Sequence, residues 1–99
     1  MSDQQADKGR VHIWVKGRVQ GVGFRAHVAY YAMEMGVNGW VRNVGLDTVE
    51  SVAEGERSKL DHFIEMVKRG PRGSRVDDTR LEWEPATGEF VEFSVRRSL

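Results

Sequence analysis

Gly17-Arg18-Val19-Gln20-Gly21-Val22-Gly23-Phe24-Arg25 joins two stretches of different periodicity. Before it, Val11, Ile13 and Val15 alternate with His12, Trp14 and Lys16, the period-two pattern of a half-buried strand. After it, Phe24, Val28, Tyr31, Ala32 and Met35 fall at i, i+4, i+7, i+8 and i+11, one stripe of a helix over 24–35. Gly36 stands where a C′ glycine closes such a helix. A strand that feeds a helix through three glycines in seven residues is a tight, donor-rich connection. Turns of this kind aim successive N–H groups into one concavity that holds anions. The helix start adds unpaired N–H groups and the positive end of its dipole, and Arg25 adds a permanent cation. Donors and a guanidinium with no acid beside them suit a phosphoryl group. The same stretch also reads as a plain glycine-rich connector.

Working outward, Val37–Val44 reads as a second strand, Gly45-Leu46-Asp47 as a hairpin turn and Thr48–Glu54 as the returning strand. Gly55-Glu56-Arg57 breaks that strand. Ser58 opens a second helix with Asp61 at capping-box spacing, and Leu60, Phe63, Ile64 and Val67 form its buried stripe. Gly70-Pro71 ends it. Arg75–Glu84 is a polar strand with Thr79, Leu81 and Trp83 on one face, Pro85–Gly88 turns, and Phe90–Arg96 is a last strand. The order β-α-β-β-α-β plus a C-terminal strand predicts an α+β, ferredoxin-like split βαβ fold, an antiparallel sheet with two helices on one face. That fold hosts many functions and names none.

The chain of 99 residues is sized for one domain, in which about 60–68% of the unfolded surface becomes buried. No cysteine is present, which excludes disulfides, thiolate metal sites and cysteine nucleophiles. Lys+Arg and Asp+Glu both number 15, so the basic excess of a typical nucleic-acid binder is missing. No apolar run approaches the roughly 20 residues that span a bilayer, and the polar start lacks a signal-peptide core. These features read as a soluble, cytoplasmic protein with a disordered tail over 1–8 and a domain over 9–99.

The glycine stretch is neither a Walker loop, which needs Lys-Ser/Thr after its last glycine, nor the dinucleotide fingerprint, whose spacing differs. Asn43, at the end of the second strand, carries a carboxamide able to orient a water, although Asn also commonly opens hairpins. His12, His27 and His62 are scattered and read as packing or solvated groups, not metal ligands. Trp14, Trp40 and Trp83 read as sheet residues, Tyr30-Tyr31 as one surface and one core ring, and Arg96-Arg97 as a solvated end, with a place near the glycine loop left open.

Gly17-x-Val19-Gln20-Gly21-Val22-Gly23-Phe24-Arg25, followed by Gly39-Trp40-Val41-Arg42-Asn43, resembles the two signature segments of the acylphosphatases. The resemblance extends over residues 10–97. It implies a small monomeric enzyme that hydrolyses the carboxyl–phosphate bond of acyl phosphates, releasing inorganic phosphate without metal or cofactor and with no nucleic-acid or membrane partner. It places the catalytic arginine at Arg25 and the catalytic asparagine at Asn43. The phosphate cradle falls on the backbone of Arg18, Val19, Gln20, Gly21 and Val22. The family usually has Asp-Gly in the hairpin after the asparagine; Leu46-Asp47 here implies a longer or bulged turn.

Two other classes share the element order. An RNA-recognition module needs aromatic residues on its third strand, and Thr48–Glu54 has none. An anion-sensing domain keeps the loop but hydrolyses nothing. Similar domains also begin larger hydrogenase-maturation proteins; a short chain with its own Met1 reads as a free-standing enzyme.

Overall fold

Alternation decides which side of the first strand is dry. In the computed structural model, which describes residues 7–99, Val11, Ile13 and Val15 are fully buried and His12 and Trp14 are half-buried on the other side. Each side chain taken from water in this way contributes about 1.5–3 kcal/mol. The elements are β1 (Lys8–Arg18), α1 (Phe24–Met35), β2 (Asn38–Val44), β3 (Thr48–Glu56), α2 (Arg57–Arg69), β4 (Arg75–Glu84) and β5 (Phe93–Val95). The sheet order is β4-β1-β3-β2-β5. Both helices pack on the face that carries Val11, Ile13 and Val15, joined there by Phe24, Val28, Leu60 and Phe63. This is the ferredoxin-like α+β arrangement.

Four departures from the sequence reading have physical causes. First, the sheet is mixed: β1, β2, β3 and β4 pair antiparallel, but β5 pairs parallel with β2. Second, β5 is three residues long rather than the Phe90–Arg96 run, because only Phe93, Ser94 and Val95 pair with Gly39, Trp40 and Val41. Third, β3 runs through Gly55 and Glu56, which pair with Gly9 and Lys8 of β1. α2 follows without a loop, so Ser58 lies inside it, and Glu56 precedes it with no side-chain cap bond. Fourth, Lys8, assigned above to the tail, opens β1, and the carbonyl of Asp7 accepts a bond from Arg57 N at 2.7 Å. The rest of that tail, residues 1–6, lies outside the described residues.

The connection from β4 to β5 travels from one sheet edge to the other, past the ends of β1, β3 and β2. Glu54 holds it. This carboxylate is 7% exposed and accepts from Thr87 N at 3.0 Å, Thr87 Oγ1 at 2.8 Å and Gly88 N at 2.9 Å. Arg10 donates to it at 2.9 Å. Burial pushes the carboxyl up, but the bonds from Thr87, Arg10 and Gly88 outweigh it and hold the group at about 2. A depressed carboxyl favours the folded state above its unfolded value of 4.5, and that contribution disappears as pH falls toward 2. Glu54→Gln is expected to cost about 1–3 kcal/mol near neutral pH. The penalty should shrink between pH 4.5 and 2, as urea unfolding at several pH values will show. An undiminished penalty at the acid end contradicts the assignment.

The helix-free face is covered by its own side chains. Val52 is 1% exposed and Trp40 8% exposed there. Trp14 stacks on His12, and the guanidinium groups of Arg42 and Arg96 lie 4.8 and 4.7 Å from Trp40. Arg80 covers Trp14 at 5.0 Å. Glu50 accepts from Arg42 at 2.7 Å and bonds His12 at 2.6 Å. Burial raises the Glu50 carboxyl, yet His12 and Arg42 leave it below the usual carboxylate range.

Candidate active site

Strand direction gathers the residues in question. β1 and β2 both run antiparallel to β3 and are therefore parallel to each other, and β5 is parallel to β2. The carboxyl ends of β1, β2 and β5 thus share one end of the sheet. α1 begins there too, because the glycine loop delivers the chain from β1 straight into it. A register shift between Lys16 and Gly17 bends β1 as it leaves the sheet. Gly21 and Gly23 then take φ of 75° and 79°, a left-handed region costly for any side chain with a Cβ. Gly23 caps α1 with no side-chain bond, which leaves the first amides of the helix without a side-chain acceptor from the cap.

A cavity of about 320 Å³ opens at this end. Val19, Gly21, Arg25 and Asn43, four of the residues singled out from the sequence, line it. Gly23, Phe24, Ala26 and Val95 complete the wall. Asn43 pairs with Val49 and shares the helix-side face with buried Val41, so strand alternation turns it toward α1 while Arg42 faces away. Arg25 sits in the first turn of α1, half-buried, and its Nη1 donates to the carbonyl of Arg96 at 3.1 Å. Among the described residues, no aspartate, glutamate, histidine, serine or threonine lines the cavity.

Arg18, Gln20 and Val22 are not part of the lining, and only their backbones were expected to matter. Arg18 ends β1 opposite Arg75. Val22 packs on the core. The Gln20 carboxamide turns to the β2–β3 hairpin and donates to the carbonyls of Val44, Gly45 and Thr48 at 3.3, 3.1 and 3.0 Å. That hairpin closes between Val44 and Thr48 through three residues, with Gly45 at φ 61°, the longer turn that Leu46-Asp47 implied.

Two contributors were missed by the sequence reading. Val95 reaches the cavity because β5 runs parallel to β2. The Arg96 carbonyl meets Arg25 for the same reason, and a main-chain oxygen leaves no mark in a sequence. The Arg96 side chain is not simply solvated either, since it lies over Trp40. His27, by contrast, has a packing role: its ring bonds the Met66 carbonyl at 2.8 Å and contacts Phe24 and Tyr31. Larger hollows of about 400 and 480 Å³ lie elsewhere. The first is flanked by Lys8, Lys59, Glu54 and Glu56, charges of both signs. The second lies beside Met33, Val91 and Phe93.

The family model for acylphosphatase matches residues 11–95. An acylphosphatase of Roseiflexus sp. (strain RS-1) is 46% identical over 89 residues, 90% of this chain and 96% of that protein. The crystal structure of acylphosphatase from Bacillus subtilis superposes with a TM-score of 0.86 at 38% identity, over 89% of this chain and 98% of that one. An acylphosphatase from Coxiella burnetii gives 0.88 at 33%, over 97% and 100%. The ferredoxin-like fold is thus shared with solved acylphosphatases. The chain belongs to the acylphosphatase family and is an enzyme of that family.

Proposed function

We propose that the cavity at the start of α1 cleaves the carboxyl–phosphate bond of acyl phosphates, with Arg25 and Asn43 as catalytic residues. One observation carries this reading: a guanidinium, a carboxamide and a glycine-rich turn surround a small cavity whose wall, among the described residues, offers no acid, base or hydroxyl nucleophile. Such a wall suits a reaction that needs positioning and charge neutralisation rather than proton transfer by the protein.

Acyl phosphate hydrolysis is that reaction. The departing carboxylate has a conjugate-acid pKa of roughly 4, judged from Asp and Glu, and leaves without a general acid. Backbone N–H groups of Arg18 to Val22 and the Arg25 guanidinium hold the phosphoryl oxygens and take up their growing charge. Asn43 orients a water in line with the scissile bond. The water oxygen bonds phosphorus as the P–O bond to the acyl group breaks. That electron pair leaves on the carboxylate, and the water's proton passes to a phosphoryl oxygen. Carboxylate and inorganic phosphate result. On the same reading we place the protein in the cytoplasm as a monomer, which sedimentation at assay concentration checks for the second part.

The test is turnover of acetyl and benzoyl phosphate followed by phosphorus NMR, with and without a chelator. Hydrolysis at equal rates in both samples is expected. Saturable phosphate binding without cleavage favours the anion-sensing alternative instead.

A further inference from the structure

The Gln20 side chain makes contacts that the mechanism above does not use. Its backbone belongs to the loop at the cavity, while its carboxamide reaches across to the hairpin that carries Asn43. One Nε2 group faces three carbonyl oxygens, those of Val44, Gly45 and Thr48, at 3.3, 3.1 and 3.0 Å. Two hydrogens serve three acceptors, so one is shared. Gly17 N adds a bond to the Asp47 carbonyl at 2.9 Å. Four carbonyls of the 44–48 hairpin therefore turn to the 17–20 segment. Val44 follows Asn43 directly, and its partner Thr48 closes the strand pair.

We infer that Gln20 is a positioning residue: its side chain fixes the spacing between the loop that holds the phosphoryl group and the Asn43 carboxamide that aims the water. This rests on the hydrolase reading above. The longer Leu46-Asp47 turn sharpens the need. Gln20 bonds the Gly45 carbonyl inside that turn and the carbonyls of Val44 and Thr48, the strand residues that close it. An in-line attack is sensitive to such spacing, since about 1 Å of misplacement costs on the order of 10²-fold. The Gln20 carboxamide bonds the hairpin and not the cavity wall, so the effect of the side chain passes through Asn43.

The experiment is a double-mutant cycle. Gln20→Met keeps the side chain's bulk and removes the donors. Alone, it is expected to lower kcat on acetyl phosphate about 10- to 100-fold. The inhibition constant of inorganic phosphate should stay within about twofold, because the cradle amides are untouched. In an Asn43→Ala background the same change is expected to cost less than about twofold, since the group it positions is gone. A purely structural role lowers Tm and shows the same kcat penalty in both backgrounds, and that result overturns the inference. So does a kcat equal to the parental value, or a loss of phosphate affinity in step with kcat. Where Gln20→Met does not fold, Gln20→Asn, with donors on a shorter stem, enters the same cycle. Failure of the parental chain to hydrolyse acetyl phosphate is read on that chain alone; it overturns the hydrolase reading and the inference together.

Discussion

Arg25→Ala is expected to lower kcat/KM for acetyl phosphate by about 10²–10³ or more, the scale set by loss of one preorganised donor. Among the described residues, the guanidinium is the one cationic side chain in the wall of the cavity. It is held at Nη1 by the Arg96 carbonyl, so on the proposed mechanism its other donors would bind the phosphoryl group with less freedom to lose. Alanine is the best helix former, and the first turn of α1 should persist in the variant. Because the cation meets substrate and transition state alike, the inhibition constant of inorganic phosphate should rise along with the loss of rate. Arg25→Lys keeps the charge but not the planar fork and should recover only part of the loss. Steady-state kinetics, with circular dichroism as a check on folding, decide the matter. Near-parental turnover by Arg25→Ala removes this residue from the mechanism.

Asn43→Ala should lose a similar factor, about 10²–10³, but by a different route. Its carboxamide is assigned to the water, not to the phosphoryl oxygens. The loss should therefore fall on kcat, and inorganic phosphate should inhibit the variant as well as it does the parental enzyme. The contrast with Arg25→Ala is the sharper result, since two residues that both bound the anion would fail in the same way. If phosphate affinity falls equally in both variants, Asn43 binds the anion and the water is aimed by something else. Its strand position also makes the side chain a clean target. Asn43 sits at the end of β2, where its carbonyl is held by Leu99 N at 2.8 Å whatever the side chain.

Local patterns in the sequence carried most of the architecture. Period-two alternation marked Val11, Ile13 and Val15 as buried, and the 3.6-residue stripe placed α1 at Phe24–Met35, the bounds observed. Both helices and the sheet's central strands are driven by such near-neighbour patterns. β5 was legible as apolar but not as parallel, because Phe93-Ser94-Val95 reads the same in either direction. Its direction follows from where the β4–β5 connection crosses, and that depends on Glu54 meeting Thr87 and Gly88, 33 and 34 residues away. The start of α2 was misplaced because Ser58 and Asp61 look like a cap, whereas continued pairing of Gly55 and Glu56 with β1 carries the strand to the helix. At the cavity, Arg25 and Asn43 were legible in the sequence as lining side chains. The Arg96 carbonyl and the Gln20 carboxamide bond partners distant in sequence, where no spacing rule reaches.

The outer strands bear on how molecules of this protein meet one another. A sheet with two free borders exposes unpaired amides and carbonyls, which elsewhere recruit foreign strands into fibres. On one border β5 offers only three residues, too few to template a neighbour. On the other, β4 is ten residues long but carries Arg75, Asp77, Asp78, Arg80, Glu82 and Glu84. An incoming chain would have to desolvate those charges to dock, so the molecule should stay dispersed at concentrations where a bland border would aggregate.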